Sequence, residues 1–393
     1  MALRQEVIAG RGRGMVATRM LRAGAVLLRE SPLLLYQEAE SAESTAFCSN
    51  CMRVLSLPGR EKVPCSACDG ATFCGKSCFE SARVGSHNTR VCSGIAMLQK
   101  SKDKFSLEHR TLARFLIAAY NLAVEDPLAF AKLLELEGQE CDEEVVKSLH
   151  DFVVEIFGKL DGGASLELSL ELTGKLLARD ACNTFGLMAP SCAGEERKVR
   201  GYAMFAQASM FNHDCLPNAC RFEYVDIDGD GNTDVIVRAL HDMEEGTEVC
   251  LSYFPVDWPY GDRQQKLQEE YGFWCTCARC NVESKWKDED EEQDEEDEGY
   301  SNGELELGKG EATLEDVESI DDDDDDEDDF GHAMFFVKYL CPVEGCGGTM
   351  APLPPGELDH QGLEGSMECN FCGCVRSDEE FHRDLEEHAV DDD

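Results

Sequence analysis

The residues best suited to chemistry in this chain are cysteines, and their spacing suits the binding of a soft metal. Cys48-x2-Cys51, Cys65-x2-Cys68, Cys74-x3-Cys78 and His87-x4-Cys92 follow one another within 45 residues. Each short turn can hold two thiolates ~3.7 Å apart around one ion, so eight donors suit two tetrahedral zinc ions. Spacing alone leaves the pairing open. Interleaving would give Cys48, Cys51, Cys74 and Cys78 to one ion, and Cys65, Cys68, His87 and Cys92 to the other. A second group, Cys275, Cys277 and Cys280, is one donor short, and Cys215 beside Asn212-His213-Asp214 is the expected fourth. The third group, Cys341-x4-Cys346 and Cys369-x2-Cys372, is ribbon-like, with Gly345, Gly347, Gly348 and Gly373 permitting tight knuckles and Cys374 alongside. Cys141, Cys182, Cys192, Cys220, Cys250 and Cys374 are left over and read as packing residues.

These donors need a scaffold, and composition supplies one. The chain has 393 residues, 42% of them hydrophobic, which is enough for two or three domains with cores of their own. No apolar run reaches the ~18 residues of a membrane span. The start, Met1-Ala2-Leu3-Arg4-Gln5, leads into no apolar signal segment, so the chain is expected in the nucleus or cytoplasm and not secreted. There 21 Cys stay reduced, which favours metal over disulfide. The net charge of −44 is uneven: residues 288–329 hold 25 acidic residues and one Lys, enough to make the segment a disordered acidic linker.

Helices are expected between the clusters. Ser106–Val124 carries Leu112, Phe115, Leu116 and Ala119 on one face, and Asp126-Pro127 is a cap and first turn. Val145, Val146, Leu149, Phe152, Val153, Ile156, Phe157 and Leu160 form a buried stripe. Strands are expected at Glu6–Ala9, Gly14–Thr18, Ala25–Leu28, Cys220–Val225, Val235–Leu240 and Glu248–Tyr253. Asp226-x-Asp228-x-Asp230-Gly231 opens like a calcium loop, but its twelfth position is Val237, so it reads as a hairpin turn.

In order along the chain, Arg11-Gly12-Arg13-Gly14, the first zinc cluster, Asn183-Thr184-Phe185, Asn212-His213-Asp214-Cys215-x2-Asn218, Gly246-x-Glu248-x4-Tyr253 and Tyr271-x-Phe273-x-Cys275-x-Cys277-x2-Cys280 resemble the SET-and-MYND (SMYD-type) lysine methyltransferases over residues 4–282. The resemblance implies an α+β fold in which a SET β-fold is split by a MYND zinc module and a helical insert. It implies five segments: 1–47, the SET N-terminal part; 48–92, the MYND finger; 93–181, the helical insert; 182–257, the SET core; and 258–282, the post-SET zinc region; composition and cysteine spacing add 283–333, the acidic linker, and 334–393, a zinc-ribbon-like module. His87 follows Cys78 after eight residues and precedes Cys92 by four, where the family usually has seven and three. The family's C-terminal helical repeat is replaced by the linker and ribbon, so the substrate cleft should be differently walled.

The family chemistry moves a methyl group from S-adenosylmethionine to a lysine amine. By resemblance, Arg11, Arg13, Gly14, Asn183, Asn212, His213 and Phe273 bind the cofactor, Tyr253 is the catalytic tyrosine and Tyr271 lines the lysine channel. Basic proteins, histones among them, are the expected substrates, since a negative surface steers cationic partners. The competing reading is a silent adaptor whose MYND module binds proline-containing peptides. It has no need of Asn212, His213 and Tyr253 together. Nucleic acid is a poor partner for so acidic a chain.

Overall fold

The computed structural model describes residues 2–39, 47–57, 60–160, 168–189, 198–226, 231–286, 334–354, 365–377 and 379–383. The acidic segment, Cys192 and the centre of the Asp/Gly turn lie outside the described residues.

The catalytic half begins as a hairpin. Strands β1 (Leu3–Ile8) and β2 (Gly12–Ala17) pair antiparallel around Gly10 and Gly12, whose φ values of 74° and 75° close the turn without a Cβ penalty. β3 (Val26–Glu30) joins another sheet, and β4 (Leu34–Tyr36) a further one. The first zinc cluster follows with the short hairpin β5 (Val63–Pro64) and β6 (Thr72–Phe73), then α1 (Lys76–Val84).

Helices fill the next hundred residues. In α2 (Thr89–Lys100), Asn88 caps the start by accepting from the Arg90 and Val91 amides, and Val91, Ile95 and Leu98 are buried at helical spacing. α3 (Leu107–Glu125) starts at its expected cap, Ser106, and α4 (Pro127–Leu134) at Asp126. The stripe of α5 (Glu143–Leu160) buries Val146, Leu149, Phe152, Val153, Ile156 and Phe157. With α6 (Leu170–Asn183) these helices share one core with the zinc module, including Leu55, Phe73 and Phe115.

The chain then returns to the sheets. β7 (Phe185–Met188) and β8 (Val199–Met204) form a sheet in the order β4-β8-β7. β9 (Asn212–His213) runs parallel to β12 (Glu248–Leu251), giving the order β1-β2-β12-β9. β10 (Ala219–Phe222) and β11 (Val235–Ala239) make the hairpin expected of the Asp/Gly turn, completed by β3. The strands expected at 6–9, 14–18, 25–28, 220–225, 235–240 and 248–253 thus exist with shifted ends. β4, β7 and β8 carry no sequence alternation that would announce them.

After β12 come α7 (Tyr260–Lys266), a π-helical turn (Leu267–Tyr271) and α8 (Ala278–Glu283). The C-terminal ribbon is an antiparallel sheet of β13 (Met350–Pro352), β14 (Met367–Cys369) and β15 (Val375–Arg376). It does not stand apart. Met350, Ala351, Met367 and Tyr339 form one buried cluster with Phe222, Ile236 and Leu240 of the catalytic half.

Candidate active site

The four donor groups converge as the interleaved reading requires. Cys48, Cys51, Cys74 and Cys78; Cys65, Cys68, His87 and Cys92; Cys215, Cys275, Cys277 and Cys280; and Cys341, Cys346, Cys369 and Cys372 each gather their ligand atoms within 4.8 Å. Sulfur separations of 3.5 Å (Cys48–Cys78), 3.6 Å (Cys65–Cys92), 3.4 Å (Cys215–Cys280) and 3.7 Å (Cys346–Cys369) match the ~3.8 Å edge of a tetrahedron with 2.3 Å Zn–S bonds. All four sets therefore fit zinc. The respaced His87 still lies 3.6 Å from Cys68 Sγ through its Nε2. Cys374, read from sequence as a packing residue, stands 3.5 Å from Cys341 Sγ at the edge of the ribbon site.

The third set is wired into the catalytic strands. His213 Nδ1 accepts from the Tyr253 amide at 3.2 Å, while Nε2 lies 3.2 Å from Cys215 Sγ. An accepting Nδ1 leaves the proton of the neutral ring on Nε2, where it faces the Cys215 sulfur and would donate to it as a zinc-bound thiolate. Burial pulls the His213 pKa down to about 3, so the ring stays neutral. Both ring nitrogens are thus engaged in positioning Tyr253 and Cys215. Arg263, fully buried, donates through Nε to Cys215 Sγ at 3.3 Å and pairs with Glu283, which also takes Arg279. Arg263, which also reaches Cys280 Sγ, would offset part of the negative charge of four thiolates around a divalent ion, a service that the cysteine spacing does not reveal.

Glu248 joins the first motif to the third. Its Oε2 accepts from Arg11 Nη1 at 3.0 Å and its Oε1 from Asn212 Nδ2 at 2.8 Å, while Arg11 Nη2 reaches the His213 carbonyl. Gly14 lies directly beneath: a Cβ there would stand 2.9 Å from both Asn212 Nδ2 and Glu248 Oε1. Arg13 turns to Glu137 and the Glu135 carbonyl, and Asn183 Nδ2 donates to the Glu137 carbonyl at 2.8 Å. Arg13 thereby ties β2 to the α4–α5 loop and the end of α6, while Arg11 ties the turn before β2 to β9 and β12.

A cavity of about 810 Å³ opens beside the end of β12. Asn183, Tyr253 and Tyr271 line it; Arg11, Arg13, Gly14, Asn212, His213 and Phe273 do not. Phe273 is 37% exposed. The rings of Tyr253 and Tyr271 lie 4.7 Å apart. Tyr253 Oη donates to the Phe211 carbonyl at 2.9 Å, which leaves its oxygen lone pairs as acceptors. Burial pushes the Tyr253 phenol well up and the Tyr271 phenol up to about 12, so both are neutral near pH 7. Tyr253 can therefore orient a donor but is unsuited to act as a base. Phe185, Phe211 and Phe254 give the cavity an apolar throat, and Ser209 and Thr184 add hydroxyls.

A family model, SET domain, matches residues 12–254. The chain is 43% identical to histone-lysine N-methyltransferase ASHR2 of Arabidopsis thaliana, covering 96% of this chain and 96% of that protein. It is 25% identical to histone-lysine N-methyltransferase SMYD3 of Homo sapiens, over 70% of this chain and 61% of that one. It is 26% identical to N-lysine methyltransferase SMYD2-B of Xenopus laevis, over 70% of this chain and 60% of that one. The chain belongs to the SET-domain family. Within that family it is of the SMYD type, for which lysine methylation dependent on S-adenosylmethionine is the shared chemistry.

Proposed function

We propose that this protein methylates lysine side chains of basic proteins, histones among them, with S-adenosylmethionine as donor and zinc as a structural metal. The observation that carries the reading is the pair Tyr253 and Tyr271 at 4.7 Å within an aromatic cavity, with the Tyr253 hydroxyl oriented by Phe211. The cofactor supplies an activated methyl group on a sulfonium. Arg11, Arg13, Gly14, Asn183, Asn212 and Phe273 are proposed to hold it, with His213 contributing through its backbone and by fixing Tyr253.

The chain's own task is alignment. A lysine amine has a solution pKa of ~10.4 and must be neutral to attack; an apolar throat disfavours its cation. Tyr253 Oη accepts from the amine and holds its lone pair toward the methyl carbon, and ordering of this kind contributes about 7–11 kcal/mol. Residues 48–92 are proposed as a MYND-type module, 258–282 as the post-SET region and 334–393 as the ribbon. Fifteen cysteine ligands that must stay reduced favour a nuclear or cytoplasmic location.

The test is transfer of labelled methyl from S-adenosylmethionine to histones and to lysate proteins, beside Tyr253→Phe. The variant should lose about 100-fold in kcat while binding the cofactor as the native protein does. No transfer to any protein, with no cofactor binding by calorimetry, would refute the proposal.

A further inference from the structure

The cavity that begins at Tyr253 does not end within the catalytic half. Its outer lining is the ribbon: Gly345 to Thr349 from the first knuckle, and Asn370 and Phe371 from the second. Across from them stand Asp257 and Trp258, the latter stacked on Phe254 with centroids 5.3 Å apart and an interplanar angle of 5°. The two sides approach closely, since a Cβ on Gly347 would lie 3.3 Å from Asp257 Oδ2. Gly347 sits at φ 61°, a conformation that glycine adopts without strain.

Several contacts hold the ribbon in this place. Asn370 Nδ2 donates to the Arg221 carbonyl at 3.0 Å and its Oδ1 accepts from the Thr349 amide at 2.8 Å. Glu368 Oε2 accepts from buried Arg238 at 2.8 Å and from Tyr224 Oη at 2.9 Å. A Cβ on Gly24 would stand 2.3 Å from the Leu353 carbonyl, so the backbones there touch. Together with the shared apolar cluster, these contacts make the ribbon a fixed part of the cavity.

We propose that the two zinc knuckles form the outer wall of the substrate cleft and, with Asp257 opposite, select an extended segment whose target lysine is flanked by basic residues. The inference rests on the methyltransferase reading and adds the substrate class to it. A lysine that reaches Tyr253 through this cavity must bring its neighbours past Gly347, Phe371 and Asp257. Asp257 is exposed and, among the described residues, takes part in no salt bridge, so its charge is available to the segment. The other charged residue lining the cleft, Arg221, is already compensated by Glu223 at 3.2 Å. A basic flank therefore meets a carboxylate at the mouth, and an acidic flank meets the same charge as its own. Trp258 and Phe371 add aromatic surface to the two sides, against which the aliphatic stems of Arg or Lys can pack.

The full-length protein is tested with three peptides that carry one lysine flanked by Arg, Gln or Glu. Asp257→Lys, an exposed change, should raise KM for the Arg-flanked peptide about fivefold and lower it for the Glu-flanked one. Phe371→Ala should raise KM for all three with zinc content unaltered. Binding of the Arg-flanked peptide with S-adenosylhomocysteine should slow amide exchange at 345–349 and 370–371. Unchanged peptide preference in Asp257→Lys, or protection that omits both knuckles while methyl transfer proceeds, would overturn the wall and leave the methyltransferase reading standing. A native protein that transfers methyl to nothing and binds no cofactor would refute both.

Discussion

Glu368→Ala is expected to detach the ribbon from the catalytic half. The carboxylate is the charge partner of Arg238, whose side chain is 1% exposed and whose Nη1 lies 2.8 Å from Glu368 Oε2. Among the described residues, Arg238 Nε and Nη2 have no hydrogen-bond partner, and its guanidinium rests 3.5 Å above the Phe222 ring. Removing the acid leaves a buried, uncompensated cation, a change that costs about 3–5 kcal/mol, and it also takes the acceptor from Tyr224 Oη. Opening of the interface by that amount should speed amide exchange in β13 and β14 on the order of 10²–10⁴-fold, with the helical core α3, α5 and α6 unaffected. Pulse-labelling exchange with mass spectrometry resolves the two regions. Arg238→Met combined with Glu368→Gln removes both charges and should recover most of the loss. Native exchange rates in β13 and β14 of Glu368→Ala, or no recovery in the double variant, would show that the ion pair does not hold this interface.

Gly14→Ala should weaken S-adenosylmethionine binding more than tenfold by calorimetry, because the new methyl displaces Asn212 and Glu248 at 2.9 Å and overpacking costs about 1–3 kcal/mol. Asp180, buried against Tyr36 and Thr184, has its pKa pushed up to about 6 by desolvation. The folded state therefore keeps a proton that the unfolded state releases between about pH 4 and 6, and stability falls as pH rises through that window. Asp180→Asn should accordingly raise the melting temperature at pH 7.5, by a gain that shrinks toward pH 5. Metal analysis should find about four zinc per chain, falling by one in Cys346→Ser; a native value near two would refute the two later sites.

Much of the metal chemistry was legible because ligand spacing is local. Cys-x2-Cys is a property of one turn, and four such turns state their purpose without help from the rest of the chain. Ser106, Asp126 and the α5 stripe were readable for the same reason: caps and helical periodicity act within a few residues. What escaped is non-local. β4 has three residues and β7 four, too short for alternation to register. The role of Glu248 depends on Arg11 lying 237 positions away, and nothing near Glu248 announces it. Phe222, Ile236, Met350 and Met367 look like ordinary core residues in sequence, so the docking of the ribbon onto β10 and β11 was invisible. Cys374 packs against the ribbon's core as expected, yet its closeness to Cys341 Sγ is a feature that spacing does not reveal.

The sheet order β1-β2-β12-β9 has a consequence for how the protein is made. β2 ends at Ala17, and its neighbour β12 begins at Glu248. At 5–20 residues per second, the ribosome needs on the order of ten seconds or more to deliver that partner. Through that interval the β2 edge is on the nascent chain without its mate, while the first zinc cluster and the helices that follow can already fold against one another. Closure of this sheet is a late, high-contact-order event. Biogenesis, more than the finished fold, is where this protein is exposed to aggregation, and a chaperone that shields β1 and β2 until β12 emerges would act at the vulnerable step.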